Sequence, residues 1–248
     1  MSKLSISLIT VTYNAADTIE TCIRSVIAQG YLNLQYIIVD GGSTDGTLAI
    51  IDKYKQHISI LVSEPDKGIY DAMNKGIAMA TSEVIGILNA DDRFAANDIL
   101  DAVAETFDRY GTDIIYGDID YINKQNKVFR KWRSGEYRRG SFNLGWMPPH
   151  PAFYAKRKCF EHYGNYDLSY GSAADYELML RFIHRHKLSV AYVKRLMVNM
   201  LIGGVSNNSV QNRFKAWQND KRAMAANDIS MPLLCIFFKP LRKIFQYI

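Results

Sequence analysis

Cysteine is scarce here: three in 248 residues, at 22, 159 and 235, with no C-x-x-C pair. That spacing excludes a disulfide framework or a zinc cluster and suggests a reducing compartment. Long apolar runs are missing as well. The longest, Met231 to Phe238, is cut off by Lys239 and Pro240, well short of the ~20 residues that span a bilayer. No signal peptide precedes the strand-like run from Leu4 to Val11, so the expectation is a cytoplasmic protein that at most touches the inner face of a membrane. With six prolines and 48% apolar residues, the chain is neither disordered nor collagen-like and can bury a sizeable core. Charge is present but uneven. Residues 1–100 carry seven Lys/Arg and twelve Asp/Glu, so a net +5 overall leaves +10 for residues 101–248. An acidic front suits metal or hydroxyl-rich ligands, and a basic back suits anionic partners or a membrane surface.

The first hundred residues alternate between two periods. Leu4–Ile9, Gln35–Val39, Ser59–Val62 and Val84–Leu88 read as buried strands, while Asp17–Gln29, a segment up to Lys55 and Ile69–Ala80 read as helices. Thr44 is placed to cap the second helix, and a further helix follows Asn97. This rhythm predicts a Rossmann-like, mostly parallel α/β sheet with helices on both faces and ligands at the carboxyl ends of the strands. After Tyr110 the pattern changes. Asp113–Tyr116 reads as another strand, Ile119–Ile122 and Val128–Trp132 as a hairpin, a Pro-Pro-His-Pro turn over 148–151 leads into Ala152–Ala155, and Ala174–His186 reads as a helix. The expected division is a nucleotide-binding half over 1–112, an acceptor and catalytic half of the same domain over 113–206, and a helical extension over 207–248.

The loop after the first strand, around Val11, Thr12, Tyr13 and Asn14, has neither G-x-G-x-x-G nor a P-loop, which argues against a dinucleotide site. A mononucleotide held by the Val11 backbone and a purely structural turn both fit. After the second strand, Asp40 can accept from a base or ribose, and Gly41 and Gly42 let a flat ligand approach; Ser43, Thr44 and Asp45 suit a helix cap. After the fourth strand stand Asp91 and Asp92. Adjacent carboxylates repel unless a cation joins them, and Mg²⁺ or Mn²⁺ with few protein ligands and a diphosphate fits that pair.

Together the stretches ISLITVTYNAADTI, VDGGSTDGT and SEPDKGIYDAMNKGIAMATSEVIGILNADD resemble the inverting family 2 glycosyltransferases of the GT-A fold, of the kind that builds bacterial surface polysaccharides and exopolysaccharides. The resemblance implies a nucleotide-sugar donor, usually a UDP-sugar. Val11, Tyr13, Asp40, Gly41, Lys67 and Asp91 would face the nucleotide, and Asp92 would hold the metal. Many relatives have two aspartates where this chain has Asp40-Gly41. The family's catalytic base maps to Asp175 in Ala174-Asp175-Tyr176-Glu177, with Ala174 replacing the usual first acid and Arg181 following. An inverting transfer needs one such base. His150, in Pro148-Pro149-His150-Pro151, aligns beside the active site and suits either the diphosphate or the acceptor. Gly203-Gly204-Val205-Ser206 resembles a donor-covering loop.

The acceptor implied is a glycan or a polyprenyl-diphosphate-linked saccharide. At the C-terminus, Leu241, Ile244, Phe245 and Ile248 share a helical face beside Lys239, Arg242 and Lys243, which suits an anionic membrane surface, the domain itself or a homodimer contact. Two rivals are weaker. A sugar-nucleotide pyrophosphorylase needs a basic Gly-rich loop where this chain has VTYNAAD. A non-catalytic nucleotide-sugar or glycan binder has no use for Asp175. Nucleic acid is not expected, since no recognition motif is present.

Overall fold

The computed structural model describes residues 4–202, 210–244, 246 and 247. In its first half β1 (Ile6–Thr12), β2 (Leu34–Asp40), β3 (Ile60–Ser63) and β4 (Val84–Ile87) lie in the order β3-β2-β1-β4, all parallel. β1 is buried along its whole length because helices cover both faces. Ile6 and Leu8 pack with Ile19, Cys22, Ile23 and Val26 of α1 (Ile19–Ile27). Ile9 and Val11 pack with Ala72, Met73 and Ile77 of α3 (Ile69–Met79). Alternate residues of one strand thus feed two cores, the reason these strands read as continuous apolar runs.

Beyond β4 the sheet becomes mixed. β8 (Phe153–Lys156) is antiparallel to β4 and to β6 (Ile114–Ile122). β6 runs parallel to β9 (Val190–Leu201), and β5 (Asp92–Phe94) is antiparallel to β9 at the far edge. β7 (Val128–Trp132) folds back on β6 as the predicted hairpin. One nine-stranded sheet therefore carries both halves. β5 and β9 were not expected. Three residues are too few for a visible period, and β9 is half-buried with no clean alternation.

One capping expectation needs correction. α2 (Thr47–Asp52) is capped by Asp45, whose Oδ1 accepts from Thr47 N at 2.9 Å, whereas Thr44 N donates to Asn14 Oδ1 at 2.9 Å. The first amides of α4 (Ile99–Tyr110) are satisfied from a distance: Ile99 N and Leu100 N donate to Gln29 Oε1 at 2.9 and 3.2 Å. Asp98 instead pairs with Arg195. The helix expected over 174–186 is α6 (Ala174–Met179), continued by a wider π-type turn over Leu180–Arg185. α5 is Arg157–Tyr163, α7 is Val210–Ala226 and α8 is Pro232–Ile244.

The C-terminal segment packs on the domain. Cys235 is fully buried with Sγ 3.3 Å from Tyr176 Oη, and Lys131 N donates to Gln246 O at 2.7 Å along the β7 edge. Lys239, expected among the membrane-facing cations, turns inward to Asp220 at 2.6 Å and lies 3.7 Å from the Tyr176 ring centre. Met231, Leu234 and Phe237 are the exposed apolar residues here. Gly203 to Ser206, Phe245, Ile248 and the side chains of Arg242, Lys243 and Ile244 lie outside the described residues. Among those described, no helix is long and apolar enough to cross a membrane.

Candidate active site

The carboxyl ends of β1, β2 and β4 meet at one edge, with Thr12 opposite Asp40 in register and Ala90 N donating to Val11 O at 3.2 Å. Asp40 is fully buried and holds its own loop. Its Oδ2 accepts from Gly42 N (3.1 Å), Ser43 N (2.9 Å) and Ser63 Oγ (2.7 Å), and its Oδ1 from Ser43 Oγ (2.5 Å). Asn14 ties this loop to the one after β1, since Asn14 N donates to Ser43 Oγ at 2.8 Å and its Oδ1 takes Thr44 N. Gly41 leaves room for the Asp66 carboxylate: a Cβ there would stand 2.5 Å from Asp66 Oδ2 and displace that side chain, with Tyr13 Cδ2 at 3.4 Å. Tyr13 is 63% exposed beside it, an aromatic face open to a flat ligand. Lys67 is exposed, and its backbone amide donates to Asp71 Oδ2 at 3.0 Å. Asp66 was missed in the sequence, although it stands in the same turn as Lys67.

Asp91 and Asp92 follow β4. Asp92 is 1% exposed; among the described residues its Oδ1 meets no hydrogen-bond donor in good geometry, and its Oδ2 has a 3.4 Å contact from Asn89 Nδ2. Burial pushes the Asp92 carboxyl well above the usual range, and Asp91 adds to the effect. Asp91 is itself raised by burial. Two adjacent carboxylates with an orphan oxygen and no third acidic, His or Cys ligand among the described residues suit Mg²⁺ or Mn²⁺, which keeps water and phosphate oxygens in its shell.

Asp175 opens α6, half-buried, with Oδ1 accepting from its neighbour Tyr176 N at 2.8 Å. Three rings frame it. The phenol of Tyr70 on α3 is pushed up by burial and then by Asp175, and the phenol of Tyr166 likewise. His150 Nε2 lies 2.7 Å from Tyr166 Oη. Burial lowers the His150 pKa, while Asp175 opposes that shift. Tyr166 is clamped by Asn74 of α3, which bonds its backbone O at 2.8 Å and N at 3.0 Å. Arg181 pairs with Glu177 at 2.9 Å and donates to the carbonyls of Tyr163, Gly164 (2.9 Å) and Asn165 (2.7 Å). The arginine that follows the acidic motif thus anchors the loop leading into Tyr166. Gly171, at φ 51°, makes the turn before α6, and a Cβ there would meet Asn219 Nδ2 at 3.0 Å.

Tyr121 of β6 and Asp92 of β5 stand in register with Met200 of β9 from opposite sides. The Tyr121 phenol on β6 is raised by burial and then by both Asp92 and Asp175. Tyr121 and Tyr166 carried no motif in the sequence, and Tyr70, although inside the 63–92 stretch, was not singled out; α3 and the loops deliver Tyr70 and Tyr166 to Asp175.

Residues 7–166 match the family described as glycosyl transferase family 2. The chain is 30% identical over 219 residues to the PGL/p-HBAD biosynthesis glycosyltransferase of Mycobacterium bovis, a match covering 86% of this chain and 84% of that protein. It superposes on S. aureus TarS residues 1–349 in complex with UDP-GlcNAc (TM-score 0.70, 15% identity, 95% of this chain, 69% of that one). It superposes equally on the mannosyltransferase PcManGT from Pyrobaculum calidifontis in complex with GDP-Man and Mn²⁺ (TM-score 0.68, 19% identity, 96% and 70%). Against a longer S. aureus TarS chain it spans 39% of that protein's length.

Proposed function

Because the chain belongs to glycosyl transferase family 2 and has its GT-A α/β fold, we infer that it transfers a sugar, with inversion, from a nucleotide diphosphate sugar to a hydroxyl of a glycan or lipid-linked saccharide. A UDP-sugar is the donor we favour, and assembly of a surface polysaccharide the setting. One observation carries the reading: Asp92 is buried at the end of β4 beside Asp91, with an Oδ1 that meets no hydrogen-bond donor among the described residues.

In this reading Tyr13, Gly41 and Asp66 receive the base and ribose, on a loop that Asp40 and the Val11 end of β1 keep in place. Lys67 extends from the same turn toward the diphosphate. Asp91 and Asp92 are the residues that would hold Mg²⁺ or Mn²⁺. When bound, the ion would supply positive charge to offset the charge growing on the leaving diphosphate. Asp175 takes the proton from the acceptor hydroxyl as that oxygen attacks the anomeric carbon. The bond from that carbon to the diphosphate oxygen breaks, and the nucleoside diphosphate leaves with the electron pair. Tyr70, Tyr166 and His150 hold Asp175 and the acceptor in place, and no covalent intermediate is required.

The test is a thermal-shift screen of nucleotide sugars with and without Mn²⁺. A donor at a hundred times its Kd adds about 2.7 kcal/mol, roughly 5–10 °C in a chain this size. No shift with any nucleotide sugar in either condition would overturn the reading, and slow Mn²⁺-dependent hydrolysis of the donor would separate an enzyme from a binder. Contact with anionic membrane is supported by the basic second half and by exposed Leu234 and Phe237. Leu234→Ser with Phe237→Ser is expected to lower vesicle sedimentation about tenfold or more; unchanged sedimentation removes that part.

A further inference from the structure

A pocket of about 370 Å³, counting its open mouth, lies between β7, the segment around Trp146 and the C-terminal segment. Arg130, Arg133 and Lys239 line it together with Trp132, Trp146 and Gln246, and among the described residues no carboxylate does. Two of the cations are neutralised from behind: Arg133 by Asp120 at 2.6 Å and Lys239 by Asp220 at 2.6 Å. Arg130 is different. It is 8% exposed, yet among the described residues no carboxylate lies within ion-pair distance of it. A buried charge without a counter-charge is costly. The rings of Tyr121, Trp132 and Tyr247, with centres 4.6, 5.0 and 5.9 Å from its Cζ, offset part of that cost. Gln246 Oε1 accepts from Nε at 2.7 Å and from Nη2. Nη1 has no protein acceptor among the described residues.

We propose that this pocket is an anion site for a phosphoryl group, a diphosphate in particular, and that in the reaction the group belongs to the acceptor. Two guanidinium forks and an ammonium on one wall match a polyanion of several oxygens better than a single carboxylate. Position supplies the second half. The Tyr121 ring centre lies 4.6 Å from Arg130 Cζ, and Tyr121 and Asp92 stand in register with Met200 of β9 from opposite sides, so a single strand separates the residue beside Arg130 from Asp92. The donor's diphosphate is assigned to Asp91 and Asp92, which leaves the Arg130 pocket for a second phosphorylated molecule. The assignment to the acceptor rests on the proposed transfer reaction; the pocket's affinity for the anion does not.

Calorimetric titration of the full chain in EDTA, with inorganic pyrophosphate, farnesyl diphosphate, and vesicles of phosphatidylcholine with phosphatidylglycerol as three separate ligands, tests this. Both soluble diphosphates should bind, and Arg130→Gln and Lys239→Gln should each weaken them about tenfold. UDP binding with Mn²⁺ on the same variants reports that the fold is intact. If Arg130→Gln does not fold, Lys239→Gln, on a different element, carries the test. The proposal is overturned if the diphosphates fail to bind, if they bind wild type and folded variants alike, or if vesicle binding alone responds. Arg130-dependent pyrophosphate binding by a chain that binds no nucleotide sugar would sink the transfer reading and leave the pocket standing.

Discussion

At the ends of β1 and β2, Asp40, Asn14 and Asp45 direct their oxygens to amides and hydroxyls of two adjoining loops, so that edge is held by its own hydrogen bonds. On the other side, Asp175 stands among Tyr70, His150 and Tyr166, drawn from α3 and two separate loops and held by Asn74 and Arg181. The first arrangement is local hydrogen bonding between neighbouring strand ends. The second depends on sheet order and on contacts between residues about a hundred positions apart. A binding surface can be encoded in short motifs; a positioned base needs the whole domain.

The sharpest way to break this comparison is Asp175→Asn. Turnover is expected to fall ~10²–10⁴-fold, the usual contribution of a general base, with nucleotide binding nearly unchanged. Steady-state kinetics beside donor titration checks both, and full turnover in the variant would remove Asp175 from the chemistry.

Asp92→Asn probes the other side and should act oppositely on stability and on metal. The folded carboxyl is raised above its unfolded value, so its stabilising contribution is present at low pH and is lost as pH rises through the folded value. A neutral amide at neutral pH should therefore raise the metal-free stability by about 1–3 kcal/mol, at about 2–4 °C per kcal/mol. The Tm increase that Mn²⁺ gives the wild type should vanish. A lower metal-free Tm, or an undiminished Mn²⁺ response, would contradict the assignment.

The smallest effect expected is at His150. Burial lowers its folded pKa below the unfolded value near 6.5, so the unfolded chain binds the proton first as pH falls. Its contribution is complete above about pH 6.5 and is lost below that, by at most about 1.4 kcal/mol per pH unit. Tm profiles from pH 7 to 5 should fall more steeply for wild type than for His150→Gln, and parallel profiles would refute it.

The alternating front half was legible because each strand and helix carries its own period, and the loops after β1, β2 and β4 because their residues are contiguous. The hairpin of β6 and β7 was legible for the same reason. Among the features that were not are the capping of α4 by Gln29, the edge strand β5, and the inward turn of Lys239. Gln29 and α4 are seventy residues apart, β5 has three residues, and Lys239 looks like any surface cation until Asp220 and Tyr176 are placed beside it.

By itself the sequence determined the α/β class, the order of the strand-end loops and the acidic residues they carry, since these follow from local periodicity and neighbouring side chains. The tertiary structure alone decided that Asp92 is buried beside Asp91, that Arg130 is buried against the rings of Tyr121 and Trp132, and that the C-terminal helix packs on the domain. Those outcomes depend on which distant surfaces exclude water together, and no short stretch of chain records that.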